Sequence, residues 1–202
     1  MVVVVNVCLM PITNPGVANR AIKSAESDGW KVITLEDKNK EGASVTREKL
    51  LNIALKENVD IIRYLDDDDT LLPHLKNIDF GDEDIIYTDN YCNDYLNKLS
   101  GNPKVDILKI SPWSWIAKAS SLKKIKDLQG YVWDKSILHV EGYWCWYGFL
   151  KYNLKFKYLP ITAYQYNKVS YRSQSNNKNH EIYILYNKLK EELFEKVKYV
   201  SQ

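Results

Sequence analysis

Arg63-Tyr-Leu-Asp-Asp-Asp-Asp-Thr-Leu-Leu-Pro73 is the stretch on which the fold turns. The apolar run Asp60-Ile-Ile-Arg-Tyr-Leu65 reads as a strand, and it passes directly into four aspartates. A strand that ends in carboxylates offers hard oxygen ligands at the edge of a sheet. Mg²⁺ or Mn²⁺ takes such ligands and usually shares its shell with substrate phosphates. Four adjacent carboxylates also repel one another, so a cation or hydrogen bonds must compensate. The plainer alternative is a solvated acidic turn ahead of residues 71–77, which read as a short helix or turn. A calcium EF-hand is disfavoured, because the alternate spacing, the central Gly and the distal Glu are missing.

Upstream, Val2 to Met10 is β-branched and nearly continuous, as for a parallel strand covered on both faces. Pro11, Asn14, Pro15 and Gly16 break it. Val17 to Asp28 suits a helix stopped by Gly29, and Lys31 to Leu35 a second strand. Ser44 or Thr46 is the expected cap of a helix running to about Glu57. This β-α-β-α-β alternation predicts a mostly parallel α/β sheet flanked by helices. Asp84 to Thr88 reads as a fourth strand ending at Asp89. Ligands of such sheets lie beyond the carboxyl ends of the strands, so Asp37, the aspartate run and Asp89 are expected to converge.

Farther on, Trp113 to Ser120 and Phe156 to Tyr166 read as strands around a helix at Trp144 to Lys151. Residues 170–179 form a polar linker, and His180 to Val200 an amphipathic terminal helix with Leu185, Leu189, Leu193, Val197 and Val200 on one stripe. The expected division is a catalytic-type domain over residues 1–172 and a linker with a packed helix over 173–202.

With 202 residues, 45% hydrophobic and 27% charged, the chain is long enough for a substantial core and too apolar for wholesale disorder. Cys8, Cys92 and Cys145 are odd in number and far apart, which indicates neither a zinc site nor a disulfide framework. A cytoplasmic setting without a membrane anchor is the expectation. Charge is uneven: residues 57–94 carry a net of −10 and residues 151–202 a net of +6. The acidic centre suits a cation, and the basic end suits a polyanion. Fifteen Tyr and six Trp provide flat apolar surfaces for sugars or bases, or for a core. Trp113, Trp115, Trp144 and Trp146 are the candidates.

The aspartate segment resembles the DxD region of the GT-A glycosyltransferases, in particular their family-two-like group: apolar strand, Asp-x-Asp-Asp, then Pro. Ala43 to Ala54 is similar to that family's Ala-Arg-Asn-like helix, with Arg47 in the arginine place. Gly130-Tyr131 resembles its Gly-Phe turn, His139-Val-Glu-Gly142 its Glu-Asp pair, and Tyr164 to Ser170 its closing strand. The resemblance covers residues 1–172 by motif order. It implies a GT-A fold and sugar transfer from a nucleoside diphosphate, with Mn²⁺ or Mg²⁺ as cofactor.

The same resemblance implies the roles. Asp68 holds the metal, Asp66 the ribose or the metal shell, Asp69 supports, and Asp67 belongs to the donor site. Glu141 is the candidate base that deprotonates the acceptor in an inverting transfer, and His139 its rival. Arg47 pairs with the donor diphosphate or with an acidic neighbour, and Asp37 contacts the nucleoside. Two departures stand out: the Glu-Asp pair reads Glu141-Gly142, and the loop after the second strand reads Glu36-Asp37-Lys38-Asn39. A nucleic-acid-binding module remains an alternative, on the basic, Tyr-bearing residues 151–202. So does a metal-dependent nucleotidyltransferase, although no Gly-rich phosphate loop follows the first strand. The first alternative merges with sugar transfer if the acceptor is a modified base in DNA, as for some phage enzymes.

Overall fold

The computed structural model describes residues 4–73, 75, 78–92, 95–107, 114–136, 141–167, 187–188, 191–193 and 195–197. Strand β1 (Asn6–Ile12) is buried along nearly its whole length, as its unbroken apolar run requires. Helix α1 (Pro15–Ser27) starts where Asn14 accepts a hydrogen bond from Gly16 N at 3.2 Å, with Pro15 pre-set for the first turn. Its buried face is Ala18, Ala21 and Ala25, small enough for close approach to the sheet. Gly29, at φ 83°, lets the chain reverse into β2 (Lys31–Glu36).

Helix α2 (Ala43–Lys56) is capped by Gly42, at φ 100°, rather than by Ser44 or Thr46. The expected capping hydroxyls lie inside the first turn, because Asp37 already organises the approach. Its carboxylate accepts from Glu41 N at 2.8 Å and Gly42 N at 3.0 Å. Strand β3 (Ile61–Tyr64) pairs parallel to β1, and β1 parallel to β2. The parallel half of the sheet is thus the one expected.

Beyond β3 the sheet is mixed. Residues 70 and 71 form β4 (Thr70–Leu71), not the start of a helix or turn. Strand β5 (Ile85–Cys92) continues past the predicted end at Asp89 and turns back through β6 (Tyr95–Asn97). Helix α3 (Pro103–Asp106) precedes β7 (Trp115–Lys118), which runs antiparallel between β3 and β5. Helices α4 (Ala119–Gln129) and α5 (Glu141–Lys151) lead to β8 (Phe156–Tyr166). The order is β2-β1-β3-β7-β5-β8-β4, with β6 on β5. Because β4 follows the aspartates and pairs with β8, the sheet curls back toward the end of β3.

The core is aromatic. Tyr64 meets Trp115 and Trp133 edge-on at 5.7 and 5.0 Å, and Trp146 meets Tyr87 and Phe156 at 5.2 and 4.9 Å. Trp115, Trp133 and Trp146 are fully buried, so they pack the domain and offer no face to a sugar. Trp113 lies outside the described residues. Of the expected terminal helix, residues 187–188, 191–193 and 195–197 are helical, and Leu193 and Val197 are buried in the core. Among the described residues no helix is long and apolar enough to cross a membrane.

One buried carboxylate ties α2 to the far side of the core. Glu48 accepts from Val132 N at 3.1 Å and Trp133 N at 3.0 Å, and it pairs with Lys126. Removing it leaves two buried N–H groups without acceptors and an unpaired cation. Glu48→Ala is therefore expected to lower unfolding stability by about 3 kcal/mol, and Glu48→Gln by less, in urea titrations.

Candidate functional site

The carboxyl end of β3 delivers the four aspartates into a tight turn, closed by Asp69 N donating to Asp66 O at 3.2 Å. Each carboxylate finds a different environment. Asp66 is ion-paired to Arg47 of α2, Nη2 to Oδ1 at 2.9 Å. Burial, with Asp67 and Glu141 nearby, raises the pKa of Asp66, and Arg47 opposes the rise. Asp67 turns toward the loop after β1, where Oδ2 accepts from Thr13 N at 2.5 Å, Asn14 N at 2.6 Å and Thr13 Oγ1 at 3.0 Å. This carboxylate, expected in the donor site, is occupied in holding that loop.

Asp69 is fully buried. Its carboxylate accepts from the Tyr164 hydroxyl and from Asn167 N at 2.8 Å, both at the end of β8. Burial and the charge of Asp66 push its pKa up to about 8 against those bonds. A carboxylate so engaged supports the turn. Asp68 is the exception. No other described residue hydrogen-bonds its carboxylate, and its pKa is pushed up to about 6 by burial, then by Asp66 and Asp67. Its backbone oxygen accepts from Arg20 Nη2 at 2.5 Å and Asn167 Nδ2 at 3.2 Å, which fixes the residue without using the side chain.

Arg47 is the hub. Its side chain is 4% exposed, and its guanidinium lies 5.1 Å from the Trp133 ring centroid. While Nη2 holds Asp66, Nη1 holds Glu141 Oε1 at 2.8 Å. The acidic neighbours expected for it are thus Asp66 and Glu141. Burial works against its charge, yet Asp66 and Glu141 together raise its pKa. Glu141 opens the first turn of α5, so a residue 94 positions from Arg47 is brought to the aspartate turn. His139, the rival base, lies outside the described residues.

Among the described residues neither Asp37 nor Asp89 bonds to these groups. Asp37 holds the Glu41–Gly42 backbone ahead of α2. Asp89 lies within β5, where it accepts from Leu99 N at 2.8 Å and Tyr158 hydroxyl at 2.7 Å, pinning the chain before α3. Arg20, Thr13 and Asn167 leave no local pattern in the sequence, because their roles come from partners 48 to 99 positions away.

Among the described residues no three His, Cys, Asp or Glu side chains converge as a metal cage. A cage is not what Mg²⁺ or Mn²⁺ needs beside a diphosphate, since one or two carboxylates suffice when phosphate oxygens complete the shell. Asp68, a half-buried carboxylate that no other described residue hydrogen-bonds, crowded by like charges, fits that arrangement.

No family model and no curated protein matches the chain. Solved structures do. S. aureus TarS 1-349 in complex with UDP-GlcNAc aligns with TM-score 0.67 at 14% identity, over 82% of this chain and 59% of that one. A glycosyltransferase involved in glycosylation of the major capsid of PBCV-1 aligns with TM-score 0.51 at 12% identity, over 89% and 99%. The Pyrobaculum calidifontis mannosyltransferase PcManGT, in complex with GDP-Man and Mn²⁺, aligns with TM-score 0.51 at 10% identity, over 83% and 57%. The chain has the GT-A glycosyltransferase fold. Within it, the aspartate turn sits at the carboxyl end of a central strand, as the Asp-x-Asp-Asp resemblance implied. The chain spans about 60% of the TarS 1-349 structure.

The division of labour among the aspartates has a measurable consequence. Asp67→Ala strips three donors of their acceptor and is expected to cost about 2–3 kcal/mol in thermal or urea unfolding. Asp68→Asn removes only a crowded charge and is expected to leave stability within about 0.5 kcal/mol of the parent, or to raise it.

Proposed function

We propose that this chain transfers a sugar from a nucleoside-diphosphate sugar to a hydroxyl acceptor. The observation that carries the reading is Asp68: the one carboxylate of the four that no other described residue hydrogen-bonds, at the carboxyl end of β3 in a GT-A fold. The ligands of similar structures support it, since TarS holds UDP-GlcNAc and PcManGT holds GDP-Man with Mn²⁺.

Asp68, with Asp66 beside it, would hold the divalent ion, which when bound supplies positive charge to the departing diphosphate. Asp67, Asp69, Tyr164 and Asn167 keep the turn rigid, so the electrostatics need no rearrangement during reaction. The bond between the anomeric carbon and the diphosphate oxygen breaks, and its electron pair leaves with the nucleoside diphosphate. The acceptor oxygen forms the new bond, and its proton passes to Glu141. One base and a direct displacement give inversion at the anomeric carbon. Glu141 is suited to this by its side-chain exposure of 16%, enough to meet an acceptor while remaining ion-paired. The acceptor site and the cytoplasmic setting belong to the same proposal. The net +6 of residues 151–202 favours including hydroxylated bases in DNA among the acceptors screened.

The test is a donor screen. With Mn²⁺ present, UDP- and GDP-sugars are expected to raise the melting temperature and to release nucleoside diphosphate on turnover. Asp68→Asn is expected to lower metal-dependent turnover at least about 100-fold while remaining folded. Pyrophosphate release would instead establish nucleotidyl transfer. Full activity of Asp68→Asn would refute the metal assignment. Salt-sensitive DNA binding with no donor binding would make the chain a nucleic-acid-binding module.

A further inference from the structure

Resting on the glycosyl-transfer reading, we infer that Arg47 is a positioning residue: it fixes Glu141 relative to the aspartate turn, so that one oxygen of Glu141 is held and the other is presented to the acceptor. Glu141 would otherwise swing freely. It sits in the first turn of α5, its side chain has three rotatable bonds, and no other described residue pairs with it. Arg47 removes that freedom from Oε1 at 2.8 Å and leaves Oε2 to take the proton.

The holder is itself immobile. The guanidinium is nearly excluded from solvent, lies against Trp133, and is tied by its other terminal nitrogen to Asp66 at 2.9 Å. Trp133 is in turn held by its backbone N–H to Glu48, one residue along α2 from Arg47. The two carboxylates are therefore spaced by the width of one planar group. Asp66 reports the position of the turn that carries Asp68, and Glu141 is set from it.

A lysine cannot do this. Its ammonium is a point charge on a flexible stem and cannot hold two carboxylates in a fixed fork. A displacement of about 1 Å in such a group costs on the order of 100-fold in rate. A guanidinium already engaged by two carboxylates is not the main holder of the donor, so donor affinity should survive its loss.

The experiment compares the parent with Arg47→Lys, Arg47→Ala and Glu141→Gln under saturating Mn²⁺ and an accepted donor. Arg47→Lys is expected to lower kcat on the order of 100-fold while donor KM stays within about twofold. Methylguanidinium added to Arg47→Ala is expected to restore part of kcat, and to restore none in Glu141→Gln. If Arg47→Lys melts below the assay temperature, Arg47→Gln, which keeps a planar N–H donor, is read in its place. A kcat within threefold of the parent in the folded variant overturns this inference and leaves the glycosyl-transfer reading intact. A large rise in donor KM with kcat unchanged overturns it too, by making Arg47 a donor contact. No turnover by the parent with any donor overturns the underlying reading and this inference with it.

Discussion

Four like charges in a row at the end of a buried strand cannot share one solution, and the domain is arranged around that repulsion. Asp66 is neutralised by a buried arginine, Asp67 by backbone donors of the β1–α1 loop, and Asp69 by a tyrosine and a backbone N–H from β8. Each compensation recruits a different element. The turn is thus a junction at which β1, α2, β8 and, through Glu141, α5 meet. Asp68 is the one of the four whose carboxylate no other described residue hydrogen-bonds; Arg20, bonded to its backbone oxygen, supplies partial countercharge, while burial and the neighbouring aspartates hold its pKa up.

The contrast between these carboxylates and the other buried ones is instructive. Glu48, Asp89 and Asp106 are also buried, and each is hydrogen-bonded to backbone N–H groups of a nearby turn or loop. They staple irregular chain to regular structure. Asp37 does the same in a more exposed place. Acidity along the sequence therefore serves two ends, loop stapling and site building. Partners, not residue type, separate them.

The parts of this fold written in local pattern were legible. The unbroken apolar run of β1, the Gly29 stop, the strand at residues 60–65 and the full span of β8 follow from period, propensity and breakers. Parts that depend on distant pairing were not. A two-residue strand such as β4 has no period to detect and exists because β8 lies beside it. The extension of β5 past Asp89 depends on β6 and on the irregular pairing with β8. In the site, the aspartate run and Arg47 stood out by type and order. That Asp67 and Asp69 serve the scaffold could not be read, since Thr13, Tyr164 and Asn167 are 54, 95 and 98 positions away. Trp115 and Trp146 were ambiguous for the same reason, because a tryptophan's neighbours decide whether it packs or stacks.

The curl that returns β4 to β8 also sets a timetable. All four aspartates are synthesised by residue 69, but the bonds that restrain Asp69 wait for Tyr164 and Asn167. A nascent polypeptide still tethered to the ribosome before residue 164 carries the acidic cluster with one of its charges unrestrained. Contacts of such long separation form slowly, because loop closure must be paid before they reward it. The region where the chemistry is proposed is then among the last to mature as the newborn molecule folds.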